Sequence, residues 1–216
     1  EKILELNPKH VLEIGCGTGL ILFPLLSHID SYTGLDGSLQ SISYIQSILQ
    51  KKAINKAIHL FNKTAKDIKN LEIKFYDTVI INSVIQYFPS ADYLIDALDQ
   101  AIEHITSNGH LFIGDVRDLH LADLYYMSLS NSSENALSKL QFESFKNHEE
   151  ELLTAVDFFY DYAKHHPRVN YLRIEIKHSE FINEMSRFRC DVVFGIDKPL
   201  NPNQEPLQWR DWKAVS

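Results

Sequence analysis

The sequence of 216 residues is poor in cysteine and has no long hydrophobic run. Its two thiols, Cys16 and Cys190, are too few for a disulfide framework or a four-cysteine zinc site, and they favour a reducing, cytoplasmic compartment. No apolar run approaches the roughly 18 residues that a membrane-spanning helix requires. The first six residues also lack the apolar region of a secretory signal. We therefore expect no membrane association.

Basic residues are outnumbered as well. The chain has 21 Lys and Arg against 29 Asp and Glu, a net charge of −8 with His neutral. Such a charge repels a phosphate backbone, so nucleic acid is not an expected partner. Ten histidines occur, but no H-x-x-x-H or C-x-x-C pair does, so no metal site is predicted. With 44% hydrophobic and 23% charged residues, the composition is typical of a folded globular domain.

Strands and helices alternate along the first half of the chain. Ser38 is a predicted cap of the second helix, and Asn108-Gly109 is predicted to end the third. The alternation indicates a mostly parallel sheet with helices on both faces. The predicted strands are residues 11–14, 32–36, 58–61, 77–82 and 110–114, and the predicted helices are residues 20–28, 38–49 and 91–105.

The second half changes in composition. We interpret residues 128–166 as a helical insertion, and two further strands are predicted at 171–176 and 190–194. The first of these alternates apolar and polar residues, which favours an antiparallel or edge position. These strands complete a seven-stranded sheet in one domain, residues 1–198, followed by a linker or tail at 199–216. Because the chain opens inside an amphipathic segment, we expect the natural polypeptide to begin earlier.

A glycine turn follows the first predicted strand, at the sheet edge where open α/β sheets bind ligands. A dinucleotide fingerprint that starts at Gly15 would place its third glycine at position 20, which is Leu20. A buried Glu13 before the turn would favour a ligand ammonium or sulfonium over a pyrophosphate. Asp36 ends the second strand and is placed to accept ribose hydroxyls. S-adenosylmethionine carries both cations and a ribose, so it is the predicted cofactor; the alternative is that both acids only lie at strand ends.

A resemblance to a known family is carried by four segments. Residues 11–20, VLEIGCGTGL, resemble the first motif of class I S-adenosylmethionine-dependent methyltransferases. Residues 82–89, 114–117 and 183–193 resemble the methyltransferase domains embedded in nonribosomal peptide synthetases, and residues 209–212 resemble the tail that rejoins an adenylation domain. The resemblance implies a Rossmann-like fold and methyl transfer to the α-amine of an aminoacyl or peptidyl thioester. That acceptor would be tethered to the phosphopantetheine of a carrier protein.

The resemblance also implies a set of cofactor contacts. Asp67 would receive the adenine amino group, with a helix N-cap as the alternative role. Asn82 and Ser83 would face the methyl donor, with ordinary turn chemistry as the alternative. The full predicted set is Glu13, Gly15, Gly17, Gly19, Asp36, Gly37, Ser38, Ala65, Lys66, Asp67, Asn82 and Ser83.

Methyl transfer to nitrogen demands alignment and exclusion of water more than a strong base. Among polar residues near the strand ends, we expect Tyr87 and Glu184 to orient the amine or accept its proton, with Asn183 and Arg117 as further candidates. A structural hydrogen bond is the alternative for each, and Arg117 could pair with Asp115.

Two other functions stay open. Carbon or oxygen methylation of a carrier-bound acyl chain would need a positioned base, for which His120 and His178 are candidates. The second open function is that of a catalytically inert insert, which binds the cofactor within a synthetase.

Overall fold

The computed structural model describes residues 2–72, 75–131, 150–177 and 183–198, without the side chains of residues 129–131, 184 and 185. Within these ranges a seven-stranded sheet forms the centre of the molecule. The strands are β1 (His10–Ile14), β2 (Ser31–Asp36), β3 (Ala57–Asn62), β4 (Tyr76–Asn82), β5 (Ile105–Arg117), β6 (Val169–Ile176) and β7 (Arg189–Ile196).

The strand order is β3-β2-β1-β4-β5-β7-β6. Strands β1 to β5 pair in parallel, whereas β7 is antiparallel to both of its neighbours, β5 and β6. The predicted seven-stranded, mostly parallel sheet is confirmed, as is the edge position of the strand at 171–176. The strand order reverses between β1 and β4, and ligands of open α/β sheets bind beside the carboxyl ends at this point.

Helices cover both faces of the sheet. They are α1 (Lys2–Glu5), α2 (Leu22–Leu25), α3 (Leu39–Lys51), α4 (Ala91–Glu103), α5 (Ala122–Asn131), α6 (Val156–His165) and α7 (Glu184–Phe188). Short 3₁₀ helices follow β3, β4 and β5, at Ala65–Asn70, Ile85–Tyr87 and Leu119–Leu121. The predicted Ser38 cap is confirmed, because its hydroxyl accepts from Ser41 N at 3.2 Å.

Alternate residues of the central strands pack into two cores. On one face, Leu12 and Ile81 belong to the same cluster as Leu98 of α4. On the other, Val11 packs in a cluster with Ile45 of α3. All five side chains are 0% exposed, and burial of each stabilises the fold by about 1.5 to 3 kcal/mol. These two cores fix the strand ends that carry the site.

Two predictions of local structure are wrong. Residues 20–28 were expected to form one helix, but only Leu22–Leu25 is helical, in a segment where Pro24 has no N–H to donate. Asn108-Gly109 does not end α4, which stops at Glu103; the pair lies inside β5. A Cβ at Gly109 would lie 2.7 Å from Asp77 O, so this glycine permits close approach of β4.

Several predictions fall outside the described residues. These include positions 132–149 of the helical insertion and the tail at 199–216; the described part of the insertion contains the end of α5 and all of α6. The domain boundary at residue 198 therefore stays a prediction. Among the described residues, no helix has the length and apolar character needed to span a bilayer.

Candidate active site

The glycine loop after β1 is bonded to the next strand and packed against the end of β4. Gly15 N and Cys16 N both donate to Leu35 O, at 2.7 and 3.0 Å. Gly15 has φ +78°, and a Cβ there would lie 2.3 Å from Val84 Cγ2. Gly19 also has a positive φ, +83°. Glycine is therefore required at position 15 both for conformation and for space.

Asp36 joins this loop to the start of α3. Its Oδ2 accepts from Gly17 N at 2.7 Å and its Oδ1 from Ser38 N at 2.8 Å. A carboxylate oxygen can accept more than one hydrogen bond, so both oxygens keep capacity for ribose hydroxyls. A Cβ at Gly17 would meet no atom within 4 Å, so the loop surface there is open. The geometry is compatible with the ribose role of Asp36, which stays a prediction, as does contact by Gly37.

Glu13 is a buried acid, 3% exposed, whose Oε2 accepts from the Tyr32 hydroxyl at 2.5 Å. Burial raises the pKa of Glu13 to about 8; the Tyr32 hydrogen bond lowers it and the Asp36 carboxylate raises it further. No Lys, Arg or His of the described residues forms a salt bridge with Glu13. A buried carboxylate in need of a cation, beside an open glycine loop, fits the ammonium and sulfonium of S-adenosylmethionine.

Cys16 lies within the glycine loop but is not a reactive thiol. It is 3% exposed, and burial raises its pKa to about 12, with further contributions from the carboxylates of Glu13 and Asp36. Thiolate chemistry at neutral pH is therefore not expected of it.

Asp67 is the third residue of the 3₁₀ helix after β3 and completes a capping box with the N-cap residue, Thr64. Its Oδ2 accepts from Thr64 N at 2.8 Å and Thr64 Oγ1 at 3.0 Å, and these bonds lower the pKa of Asp67. The neighbouring Ala65 is buried, and Lys66 Nζ lies 5.0 Å from the centre of the Tyr93 ring. The capping geometry is present, and the adenine contact stays a prediction.

Asn82 and Ser83 end β4 at the point where the strand order reverses. Asn82 Nδ2 donates to Ser83 Oγ at 3.0 Å. Both residues also donate to the buried carboxylate of Asp115, which in turn forms an ion pair with Lys177. Ser83 and Asp115 have φ values of +57° and +60°, uncommon for residues with a side chain. The network thus holds the end of β4 in an unusual backbone conformation.

A cleft of about 930 Å³ opens beside this network. Its walls include Lys2, Ile21, Asn82, Phe112, Lys177 and Asp191. Of these six residues only Asn82 was predicted from the sequence as a site residue; the missed ones include all three charged side chains, Lys2, Lys177 and Asp191. A position directly after an edge strand was a usable signal for Lys177, since that strand ends at the same sheet edge as β1 and β4.

Three of the four predicted catalytic residues have described side chains, and no hydrogen bond or ion pair among the described residues joins any two of these three. Tyr87 is 72% exposed at the end of its 3₁₀ helix. Asn183 caps α7, accepting from Ser186 N at 3.1 Å. Glu184 begins α7, and its side chain lies outside the described residues. Their catalytic roles stay predictions.

Arg117 contacts a carboxylate and an aromatic ring. Its Nη1 donates to Glu151 Oε2 at 2.6 Å, and the guanidinium lies 5.5 Å from the centre of the Tyr125 ring. The alternative in which Arg117 pairs with Asp115 does not occur: Arg117 pairs with Glu151, and Asp115 pairs with Lys177. His120 is exposed, with Nε2 3.7 Å from Asp157 Oδ2, and His178 lies outside the described residues.

Comparison with known proteins identifies the family. A family model described as a methyltransferase domain matches residues 12–111, which span the glycine loop and β4. Chondramide synthase cmdD of Chondromyces crocatus is 31% identical over 99% of this chain. The chain belongs to the class I S-adenosylmethionine-dependent methyltransferases. The resemblance noted from the sequence is confirmed.

A second relative of this methyltransferase is the probable non-canonical nonribosomal peptide synthetase CymA of Salinispora arenicola. It is 34% identical over 97% of the chain. The chain spans only 6% of the length of chondramide synthase and 3% of CymA. The methyltransferase is therefore similar to a small part of each.

The fold is also found in solved structures. The N-methyltransferase NodS from Bradyrhizobium japonicum WM9, in complex with S-adenosyl-L-homocysteine, superimposes with a TM-score of 0.59. The match covers 91% of this chain and 85% of NodS at 15% identity. At that identity the match shows the class I methyltransferase fold alone.

Proposed function

We propose that this domain transfers a methyl group from S-adenosylmethionine to the α-amine of an aminoacyl or peptidyl thioester. The acceptor would be held on the phosphopantetheine arm of a carrier protein during nonribosomal peptide synthesis. The observation that carries the proposal is identity of 31 to 34% to peptide-synthetase chains along almost the whole domain. NodS, named as an N-methyltransferase, shares the fold and is consistent with a nitrogen acceptor.

The synthetase context supplies the proposed partners. Because both relatives are far longer than this chain, the domain would work beside other domains, with a carrier protein and an adenylation domain as neighbours. The tail at 199–216 would lead back into the adenylation domain.

The residues at the strand ends have distinct roles under this proposal. The glycine loop gives the cofactor room to approach, Asp36 accepts from the ribose, and Glu13 neutralises positive charge. When bound, S-adenosylmethionine supplies an electrophilic methyl group. The domain would contribute alignment at the Asn82–Ser83 backbone, and a bound acceptor would displace water from the cleft. The α-amine has an ordinary pKa of about 8, so a carboxylate or water can take its proton at neutral pH.

The proposal is tested with three acceptors that differ in one group. Alanyl, lactyl and acetoacetyl thioesters on the same phosphopantetheine carrier offer an amine, a hydroxyl and an acidic carbon. We expect mass spectrometry to find one added methyl group on the alanyl thioester, on nitrogen, and little on the others. Methylation of only the lactyl or acetoacetyl thioester would establish oxygen or carbon transfer instead. Binding of S-adenosylhomocysteine without turnover on any acceptor would indicate an inert insert.

A further inference from the structure

Two buried carboxylates beside the cleft are neutralised by lysines from distant parts of the chain. Asp115 is 2% exposed and pairs with Lys177, which follows β6. Asp191 is 4% exposed and pairs with Lys2 of α1 at 3.0 Å. The two acids are linked, because Asp115 N donates to Asp191 Oδ1 at 3.1 Å. Both lysines and Asp191 line the cleft.

The charges of this connected group do not cancel. Glu175 lies 3.3 Å from Lys2 and 3.6 Å from Arg173, which also contacts Glu5 at 3.4 Å. The connected group thus has three cations against four carboxylates, a net charge of 3 − 4 = −1. Its members are Lys2, Arg173, Lys177, Glu5, Asp115, Glu175 and Asp191. Because the connected group has a net charge of −1, the cleft beside it favours entry of one further positive charge.

Asp115 is the acid of this group that touches the proposed reaction centre. It accepts from the Ser83 hydroxyl and from Asn82 Nδ2, so it is bonded to the end of β4. A Cβ at Gly114 would lie 2.0 Å from Asn82 Oδ1, so β5 approaches this side chain closely just before Asp115. The carboxylate is thereby fixed from one side by β4.

Lys177 reaches the same carboxylate from the cleft side. It follows the edge strand β6, and its side chain is 28% exposed. A lysine ammonium on a flexible stem is a mobile point charge, and exchanging it for a second ammonium keeps the buried carboxylate paired. A second ammonium that entered the cleft could therefore replace it at Asp115 at small cost.

We propose that Asp115 is the catalytic residue that receives the amine of the acceptor, and that Lys177 is an internal counter-ion which the amine displaces. This inference rests on the proposed function, because it assigns a binding group to the aminoacyl acceptor.

The proton balance of the step follows from the acceptor chemistry. The amine enters as an ammonium, pairs with Asp115 and gives one proton to its carboxylate, which frees the nitrogen lone pair. The lone pair then forms the new C–N bond as the S–C bond of the donor breaks. The products are S-adenosylhomocysteine and a secondary ammonium, and the proton on Asp115 passes to solvent.

The inference is tested by binding rather than by turnover. The probes are an alanyl amide of aminopantetheine, which is stable to hydrolysis, and its propionyl analogue, which lacks only the amine. Each is titrated into the full 216-residue chain saturated with S-adenosylhomocysteine at pH 8. Controls are Lys69→Met and Asp157→Asn, which change an exposed lysine and a carboxylate whose side chain is 76% exposed.

Two opposite shifts are expected for the alanyl probe. Asp115→Asn should weaken its binding about tenfold or more, because a charge-assisted hydrogen bond is lost. Lys177→Met should tighten it by about threefold or more, because a competitor for Asp115 is removed. The propionyl probe should bind the parent, both variants and both controls with similar affinity.

Several results would overturn the assignment. One is alanyl binding that is unchanged in Asp115→Asn; another is alanyl binding that is unchanged or weaker in Lys177→Met. If Asp115→Asn does not fold, the Lys177→Met result alone decides. The proposed function fails separately, if the alanyl probe follows the expected pattern while methylation occurs only on lactyl or acetoacetyl thioesters.

Discussion

The hydroxyl of Tyr32 donates to Glu13 Oε2 at 2.5 Å, between two side chains that are 0% and 3% exposed. The two residues lie on neighbouring parallel strands, β1 and β2, so the sheet itself sets their separation. One hydrogen bond does not offset removal of a carboxylate from water, and the pKa of Glu13 is about 8 in the absence of a cation. The charge of this site therefore changes within the physiological pH range.

Cofactor affinity should rise with pH. If Glu13 binds the cofactor as proposed, the ammonium of S-adenosylhomocysteine would pair with its ionised form, and the ionised fraction grows as pH approaches 8. Calorimetry of the parent chain should show binding that is about tenfold tighter at pH 8.5 than at pH 6.5. Glu13→Gln should bind more weakly and with a flat profile. A parent profile as flat as that of the variant would contradict a cation contact at Glu13.

The same group should lower stability at neutral pH. In the unfolded chain Glu13 ionises above its ordinary pKa of 4.5, whereas the folded chain keeps the proton until about pH 8. The unfolded state thus binds fewer protons in this window, and this contribution to stability falls as pH rises from 4.5 to 8. Urea denaturation measures the free energy of unfolding of Glu13→Gln and of the parent. The value for the variant minus the value for the parent should be about 1 to 3 kcal/mol higher at pH 8 than at pH 5. If the variant and the parent differed by the same free energy of unfolding at both pH values, the predicted effect of Glu13 on stability would be wrong.

Gly15→Ala should destabilise the chain more than Gly17→Ala. Both positions have positive φ, but only at Gly15 would the new Cβ meet a neighbour, Val84 Cγ2. We expect a loss of about 1 kcal/mol for Gly17→Ala from conformation and at least about 2 kcal/mol for Gly15→Ala. Val84→Ala should recover part of the Gly15→Ala loss in a double-mutant cycle measured by urea denaturation. Simple additivity of the two changes would show that the contact is not the cause.

Asp36→Ala should weaken S-adenosylhomocysteine binding by about 1 to 3 kcal/mol, through loss of charge-assisted hydrogen bonds. The matched control is Asp30→Ala, which removes an exposed carboxylate just before β2, the strand that Asp36 ends. Because Asp36 also accepts from Gly17 N and Ser38 N, a thermal melt of each variant accompanies the titration. Equal affinities of the two variants would remove Asp36 from the set of cofactor contacts.

A nitrogen acceptor should tolerate the loss of either candidate histidine base. His120→Ala and His178→Ala should each lower the rate on an alanyl thioester by much less than the roughly 100-fold expected for a general base. Glu184→Gln should lower it more than either. If one histidine variant were inactive while Glu184→Gln kept its rate, a carbon acceptor would replace the amine.

The part of the candidate site that precedes residue 84 could be predicted because its residues lie where apolar runs of the sequence end. Gly15, Glu13 and Asp36 each stand at the end of an apolar run, and parallel strands bring such ends to one edge. The extent of α2 could not be predicted from the same pattern. Apolar residues continue on both sides of Pro24, whereas the missing backbone N–H of Pro24 is a local property that the apolar pattern does not show.

The other half of the site depends on contacts between residues far apart in the chain. Lys177 and Asp115 are 62 residues apart, and Arg117 meets Glu151 across 34. No periodic pattern specifies which lysine pairs with which acid, since the partner depends on strand order. The alternative of an Arg117–Asp115 pair does not occur for this reason, although the two residues are close in sequence, because each of them meets a partner far away in the chain.

The reversed direction of β7 divides the site between two pieces of chain. Because β7 runs against β5 and β6, the connection from Ile176 to Arg189 leaves and rejoins the sheet at the edge where β1 and β4 end. The residues proposed to contact the cofactor all lie before position 84, whereas Asp115, Lys177 and Asp191 follow it. A recombination event downstream of β4 could therefore exchange the acceptor half between related synthetases and leave the donor half intact. Under the proposed function, selection could in this way change the acceptor that is methylated without rebuilding the part proposed to bind the methyl donor.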